Sequence, residues 1–441
     1  MINFPDVLQI EPTNTCNYSC TMCLSTIRKP KKPTFFSLER FQKLAEEIFP
    51  HLRKLVLYGL GEPLMHPNFL KLLETAKQYL SPTAQITFTT NGSLLDASKI
   101  DYILENKLAD EIIFSCESVE ENKEVKIGHS LEEQSVSGNL EYCLNHNLRK
   151  NVRIGIETVI MSSNLDELEK MVERFSRKKV DFIVLSHLYP YTAQLEDETI
   201  FSMITTEALE ILDEVGSEWE EIVLGVSREK FADKMQETYK QLYQYKNILK
   251  PKKRPISDKY QEYVDRAKER DVLLNISLYI KETPKREKLE KLRKIFERCE
   301  IIASKHKVDL ILPSIFPVFN ERSCPYSAQN AVVIRSDGNV VPCFKYLWDH
   351  DSYLNSHSRF SSSYSYGNIF DKPFLEIWND EHYTRFRERK NKINDNFPYC
   401  GNCSFSSNNC FYATEDTSDC WGNEPFCSEC PYSVNLTKCL L

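Results

Sequence analysis

Val7-Leu-Gln-Ile-Glu-Pro-Thr-Asn-Thr-Cys16-Asn-Tyr-Ser-Cys20-Thr-Met-Cys23 is a short apolar strand that runs straight into a loop carrying three cysteines. The loop spacing, C-x3-C-x2-C, gathers three thiols on one turn. Tetrahedral structural zinc wants four ligands, so three thiols alone do not complete such a site. A [4Fe–4S] cluster takes one thiolate at each iron, so three cysteines hold three irons and leave the fourth open for a substrate or cofactor. The competing reading is a zinc or redox motif whose fourth ligand lies elsewhere.

Outward from this loop the chain alternates between strand and helix patterns. Strands are expected at Val7–Glu11, Lys54–Tyr58, Gln85–Thr89, Glu111–Cys116, Val152–Ile160 and Asp181–Ser186. Between them, helices are expected from a Ser37 cap to Phe49, and at Phe69–Tyr79, Ala97–Asn106, Leu131–Asn145 and Leu165–Ser176. Six β–α steps in succession specify parallel strands with crossover helices, an α/β fold of the partial (β/α)6 TIM-type barrel kind. Active sites of such barrels lie at the C-terminal ends of the strands. The polar motifs Tyr58-Gly59-Leu60-Gly61-Glu62-Pro63, Thr89-Thr90-Asn91-Gly92 and Ser115-Cys116-Glu117 all fall at those ends. Glycine is scarce, 12 in 441 residues, about half the usual share, so Gly59 and Gly61 mark a place where a side chain would be in the way.

The three-cysteine loop and the ordered landmarks behind it resemble the radical S-adenosylmethionine (SAM) superfamily. The resemblance implies that Cys16, Cys20 and Cys23 ligate a [4Fe–4S] cluster whose open iron binds the amino and carboxylate groups of SAM. Reduction then releases a 5′-deoxyadenosyl radical that takes a hydrogen atom from the substrate. It also implies SAM-contacting roles for Gly59, Gly61, Glu62 and Pro63, for Thr90 and Asn91, and for Ser115 and Glu117 where relatives have Ser-Leu-Asp. Lys126, in Val125-Lys126-Ile127-Gly128, stands where many relatives carry arginine; lysine lacks the planar two-point grip on a carboxylate.

The chain has 15 cysteines, nine of them in the last 118 residues. Secreted disulfide scaffolds are short and cysteine-dense throughout, so grouped cysteines here read as metal ligands in a reducing compartment. Cys116, Cys143 and Cys299 are scattered and read as buried small hydrophobes. Cys324, followed after 13 residues by Gly338 and after four more by Cys343, resembles the opening of the SPASM auxiliary-cluster domain. Ser336-Asp-Gly338-Asn339 also reads as a hairpin turn between them. The tail, C-x2-C-x6-C-x9-C-x6-C-x2-C-x8-C over Cys400, Cys403, Cys410, Cys420, Cys427, Cys430 and Cys439, is a stretched version of the SPASM tail. By resemblance Cys324 and Cys343 belong to one auxiliary cluster, and Cys400, Cys403 and Cys410 to another; the division of the last four stays open. A pair of zinc ribbons is the alternative, since Cys-x2-Cys suits zinc equally. Asp419-Cys-Trp-Gly-Asn-Glu-Pro-Phe-Cys-Ser-Glu-Cys430 and Ile154-Gly-Ile-Glu-Thr-Val-Ile160 resemble radical SAM/SPASM maturases that accompany tungsten-containing aldehyde oxidoreductases. Phe344 and Lys345 follow Cys343 where sulfatase maturases carry a catalytic aspartate, which disfavours that reaction.

Three regions are expected: a barrel over 1–227, a basic helical insert over 228–300 and the auxiliary-cluster domain over 301–441. Residues 228–298 carry a net charge of +9 in a chain whose net charge is −8. Such a run is either a solvated helix face or a dock for an acidic partner. No apolar run reaches membrane-spanning length, no basic-then-apolar leader opens the sequence, and the acidic whole makes nucleic acid no expected partner. The expected protein is therefore a cytoplasmic radical SAM maturase acting on a peptide or protein substrate, with a ferredoxin or flavodoxin-type reductant. Because the cluster loop begins at residue 16, no separate leader-binding domain is expected ahead of it. Maturation of a tungsten or molybdenum oxidoreductase or its pterin cofactor is the second reading, and a non-catalytic multi-cluster electron carrier the third.

Overall fold

A computed structural model describes residues 3–117, 133–216, 219, 255–317, 319–408, 410–414 and 418–441. Lys126 and residues 228–254 of the basic insert lie outside the described residues.

Strands β1 (Val7–Ile10), β2 (Lys54–Leu57), β3 (Gln85–Thr90), β4 (Glu111–Ser115), β5 (Arg153–Ile160) and β6 (Phe182–His187) pair in parallel in chain order. The buried run of β1 and the Leu-Val-Leu of β2 are covered on both faces, as parallel sheets require. Helices cover the outer face, among them Leu38–Ile48, Phe69–Tyr79 and Ala97–Glu105. Ser37 caps the first of these by accepting from the Arg40 amide, and Asp96 caps the third through Lys99. Elements and order follow the sequence reading to within a few residues.

Two additions extend the sheet to ten strands. A seventh parallel strand, β7 (Asp309–Ile311), joins β6; it is delivered by the helix Arg286–His306, which packs on Leu168–Arg177. On the other edge, β8 (Ala331–Ile334) pairs in parallel with β1, Val7 opposite Ala331 and Ile10 opposite Ile334. The antiparallel β9 (Asn339–Val341) follows, closed by a turn in which Gly338 takes a left-handed φ of 85°. A separate hairpin, β10 (His350–Leu354) with β11 (His357–Ser361), lies beyond, and β12 (Gly367–Asn368) pairs on β9. The first hairpin of the cysteine-rich module is thus a continuation of the barrel sheet. One apolar core joins Leu8 and Ile10 to Val332, Ile334 and Val341.

The described part of the basic insert is helical: Pro255–Glu269, Ile276–Glu282 and the start of Arg286–His306. Its cations meet acids of the barrel. Arg286 bonds Asp213 at 2.7 Å, Arg298 bonds Glu169 at 2.6 Å and Arg270 bonds Glu210 at 3.1 Å; Lys291 pairs with Asp166 and Arg266 with Glu214. The charge contrast noticed in the sequence is, in this part, an internal complementarity. Among the described residues no helix is long and apolar enough to cross a membrane.

Candidate active site

A cavity of about 270 Å³ opens at the C-terminal ends of β1–β6. The ends of β3 and β4 and the loops after β1, β2, β3 and β4 bring Cys16, Cys20, Cys23, Gly59, Gly61, Glu62, Pro63, Thr90, Asn91, Ser115 and Glu117 onto its wall. Every site residue expected of the barrel and described here lies on this one surface.

The three thiols sit on the β1 loop, tied by the Cys23 amide to the Cys20 carbonyl at 3.1 Å. The Cys16 sulfur accepts from the Tyr18 amide at 3.4 Å. Burial, the Glu62 carboxylate and the neighbouring Cys23 push the Cys16 thiol up to about 11. Burial, Glu117 and the other two cysteines push Cys20 higher still. Burial thus disfavours the thiolate forms of Cys16 and Cys20, and a cationic centre such as an iron–sulfur cluster would offset that cost. Among the described residues no group of three His, Cys, Asp or Glu side chains is placed to hold a single metal ion. A cubane does not need that convergence, because each thiolate binds a different iron.

Glu62 is buried and nearly saturated. Its carboxylate accepts from Thr90 Oγ1 at 2.7 Å, from the Asn91 amide at 2.8 Å and from the Leu64 amide at 3.2 Å. Burial still leaves its pKa raised to about 7. A carboxylate has about four acceptor positions, so one remains for a ligand. Asn91 in turn bonds Asn17 at 2.9 Å and reaches the Cys16 sulfur at 3.9 Å. The Gly-Glu-Pro and Thr-Asn-Gly segments thus brace the cysteine loop as well as facing the cavity. The two glycines have a reason that the sequence did not show. A Cβ on Gly61 would stand 2.3 Å from the Thr13 carbonyl oxygen, and one on Gly59 2.3 Å from Glu11 Cγ. The close approach they permit is to the segment after β1.

The far wall is completed by Glu157 and Val159 from β5, Ser186–Tyr189 and Tyr191 from β6 and its loop, and Thr437–Cys439 from the tail; of these only Cys439 is a site residue expected from the sequence, and there as an auxiliary-cluster ligand. Burial pushes the Glu157 carboxyl up to about 7 and His187 down to about 3. The tail is held by the Lys438 amide to Ser186 Oγ at 3.0 Å, and Leu440 packs with Ile113, Phe182 and Val184 inside the barrel. Alternation along β5 was the available signal for Glu157; in the tail, only the cysteine spacing that includes Cys439 carried one. Glu11, also missed, is a fully buried carboxylate. It accepts from Leu60 N at 3.1 Å, Trp348 Nε1 at 3.0 Å and Ser336 N and Oγ at 3.2 and 2.7 Å. It joins the barrel to the turn of the β8–β9 hairpin.

The remaining cysteines fall into two groups. Cys324, Cys343, Cys427, Cys430 and Cys439 line one small gap together with Lys390. Burial opposes the charge of Lys390, but Cys324, Cys427 and Cys343 outweigh it and hold the ammonium protonated. Cys420 lies near Cys403 and Cys410, and Cys400 near Cys403 and Cys420, close enough for their charges to interact. The first group gathers five thiols beside one cation, the second four thiols, the number of thiolates a fully ligated cubane takes. Cys439 faces both the inner gap and the barrel cavity. Of the scattered cysteines, Cys143 and Cys299 are buried and Cys116 is partly so.

Comparison with known proteins agrees with this geometry. Residues 10–175 match the family model described as Radical SAM superfamily, and residues 324–404 match SPASM, an iron–sulfur cluster-binding domain. A Pyrococcus furiosus relative named tungsten-containing aldehyde ferredoxin oxidoreductase cofactor-modifying protein is 24% identical over 98% of this chain and 96% of its own. GTP 3′,8-cyclase of Mannheimia succiniciproducens is 30% identical over 87 residues, 19% of this chain and 26% of that protein. Among solved structures, Streptococcus suis SuiB bound to S-adenosylmethionine shares the fold with a TM-score of 0.51 at 13% identity, over 87% of this chain and 68% of that one. Native anSMEcpe with bound AdoMet also gives 0.51, at 16% identity, over 93% of this chain and 91% of that one.

Proposed function

We propose that this chain, a radical SAM enzyme with a C-terminal SPASM iron–sulfur module, is a cytoplasmic maturase that modifies the cofactor of a tungsten- or molybdenum-containing oxidoreductase. The observation that carries the reading is the similarity to the cofactor-modifying protein of Pyrococcus furiosus, which extends over 98% of this chain and 96% of that one.

Cys16, Cys20 and Cys23 would hold the SAM-binding cluster. Glu62, with its one free acceptor position, would meet the SAM amino group, and Ser115 and Glu117 would bind polar groups of SAM from the β4 end. Together, a cluster and SAM supply reductive cleavage of the sulfonium and a carbon-centred radical able to take a hydrogen atom. Thr90 and Asn91 orient Glu62 and the Cys16 loop. Phe344 lies over Tyr58, ring centroids 5.7 Å apart, and its apolar face helps exclude water from the cavity. Cys400, Cys403, Cys410 and Cys420 would hold an outer auxiliary cluster, and four of Cys324, Cys343, Cys427, Cys430 and Cys439 an inner one. A ferredoxin or flavodoxin-type protein would supply electrons.

A peptide or protein substrate is the second reading; SuiB, with a TM-score of 0.50 in its peptide-bound form, carries a precursor peptide on this fold. The test is anaerobic incubation of reconstituted enzyme with SAM, dithionite and a tungsten- or molybdenum-containing aldehyde oxidoreductase. Formation of 5′-deoxyadenosine with a mass change in the extracted cofactor is expected. A mass change on the polypeptide alone would move the assignment to the second reading.

A further inference from the structure

The barrel cavity holds a carboxylate with no task in the frame just described. Glu157 projects from β5 onto the cavity wall, and among the described residues none donates a hydrogen bond to its carboxylate or pairs with it. The flanking Ile156 and Thr158 are buried on the opposite face of the strand, so the side chain is committed to the lumen. An acceptor-only group in a cavity walled by rings is costly unless a ligand brings donors to it. Those rings are flat and paired. Tyr58 and Phe344 stand with centroids 5.7 Å apart, and Tyr189 and Tyr432 lie nearly parallel, 22° between planes at 6.1 Å.

We infer that Glu157 is the substrate-recognising group of the cavity. It binds the donor edge of a planar 2-amino-4-oxopyrimidine ring, the edge that a pterin shares with guanine. The exocyclic amino group and the adjacent ring N–H of such a ring are two parallel donors, spaced to meet the two oxygens of one carboxylate. The faces of the ring suit the aromatic walls. This rests on the cofactor-maturase reading and names the part of the cofactor that the site grips.

The test is direct binding to the anaerobically reconstituted enzyme, by titration calorimetry, of pterin, guanosine and lumazine. Lumazine carries an oxygen in place of the 2-amino group. Wild-type enzyme should bind pterin at least about 10-fold more tightly than lumazine, because lumazine turns an acceptor toward an acceptor. In Glu157→Gln, whose amide keeps the size but replaces one acceptor oxygen with a donating NH2 group, the two ligands should bind within about twofold of each other. Guanosine tighter than pterin would make the occupant a guanine nucleotide, and the reverse a pterin; either upholds the edge recognition. Equal binding of pterin and lumazine to wild type overturns the inference without help from any variant. So does a pterin preference that Glu157→Gln leaves intact. Ring discrimination without cofactor turnover would instead overturn the maturase reading alone, and turnover without ring discrimination would overturn this inference alone.

Discussion

The two cysteine regions of this molecule solve the same problem by opposite means. The front loop puts its three thiols between residues 16 and 23, on one turn after one strand. The C-terminal module draws its inner group from Cys324, Cys343, Cys427, Cys430 and Cys439, residues that meet only because the tail folds back to Cys324 and Cys343. A ligand set held by local spacing survives almost any change elsewhere in the chain. A set assembled from distant segments exists only while the fold does, and its membership cannot be counted off along the sequence.

The largest effect expected from this contrast is on the front loop. Replacing Cys16, Cys20 and Cys23 together by Ala should abolish SAM cleavage and remove about four irons per chain, leaving the auxiliary iron in place. Iron analysis and a deoxyadenosine assay check it. Loss of all iron would show that the front loop is needed to assemble the module, and the independence argued here would be broken.

The next concerns the membership of the outer group. Cys420 stands near Cys403 and Cys410 and is the most exposed of the tail cysteines. Cys420→Ala should therefore perturb one auxiliary signal in the electron paramagnetic resonance spectrum, and Cys400→Ala the same one. Cys343→Ala should perturb the other. If Cys420→Ala instead changes the signal that Cys343→Ala changes, the two groups have been divided wrongly.

The same contrast explains what could be read before the fold was known. The six strands of the barrel were legible because each is a short apolar run bounded by turn residues, and β1 and β2 begin at the residues the pattern gave, Val7 and Lys54. The front loop and the Gly-Glu-Pro segment were legible because their chemistry is local. The three-residue β7, of which Asp309 and Ile311 are exposed, has too little pattern to announce itself. The pairing of β8 with β1 joins residues more than 300 positions apart, and no local signal encodes it. The division of the tail cysteines was unreadable for the same reason, since Cys420 and Cys427 are close in sequence and belong to different groups. Glu11 was read as the end of a strand, and its partners Ser336 and Trp348 lie on the far side of the sequence.

Glu11 is also where the two regions can be pulled apart. Its carboxylate is fully buried and satisfies four donors, the amide of Leu60, the amide and hydroxyl of Ser336 and the indole of Trp348. Glu11→Ala leaves those donors without an acceptor, and each orphaned group costs about 1–3 kcal/mol where water does not replace it. A loss of about 3 kcal/mol is expected in urea unfolding. Glu11→Gln keeps the volume and one acceptor oxygen but turns a donor toward donors, so its loss should be smaller, about 1–2 kcal/mol. The pH dependence has a definite sign. Burial is the largest influence on Glu11 and raises its pKa above the ordinary 4.5, with the four donors pulling the other way. The native state therefore holds this proton more tightly than the unfolded chain. The stability it contributes is fully present below about 4.5 and falls as pH rises through the native value. Glu11→Gln carries no such proton and should flatten that part of the stability profile. If Glu11→Ala melts within about 0.5 kcal/mol of wild type, the junction is held by the β1–β8 pairing and the shared apolar core alone, and the buried carboxylate is a passenger in it.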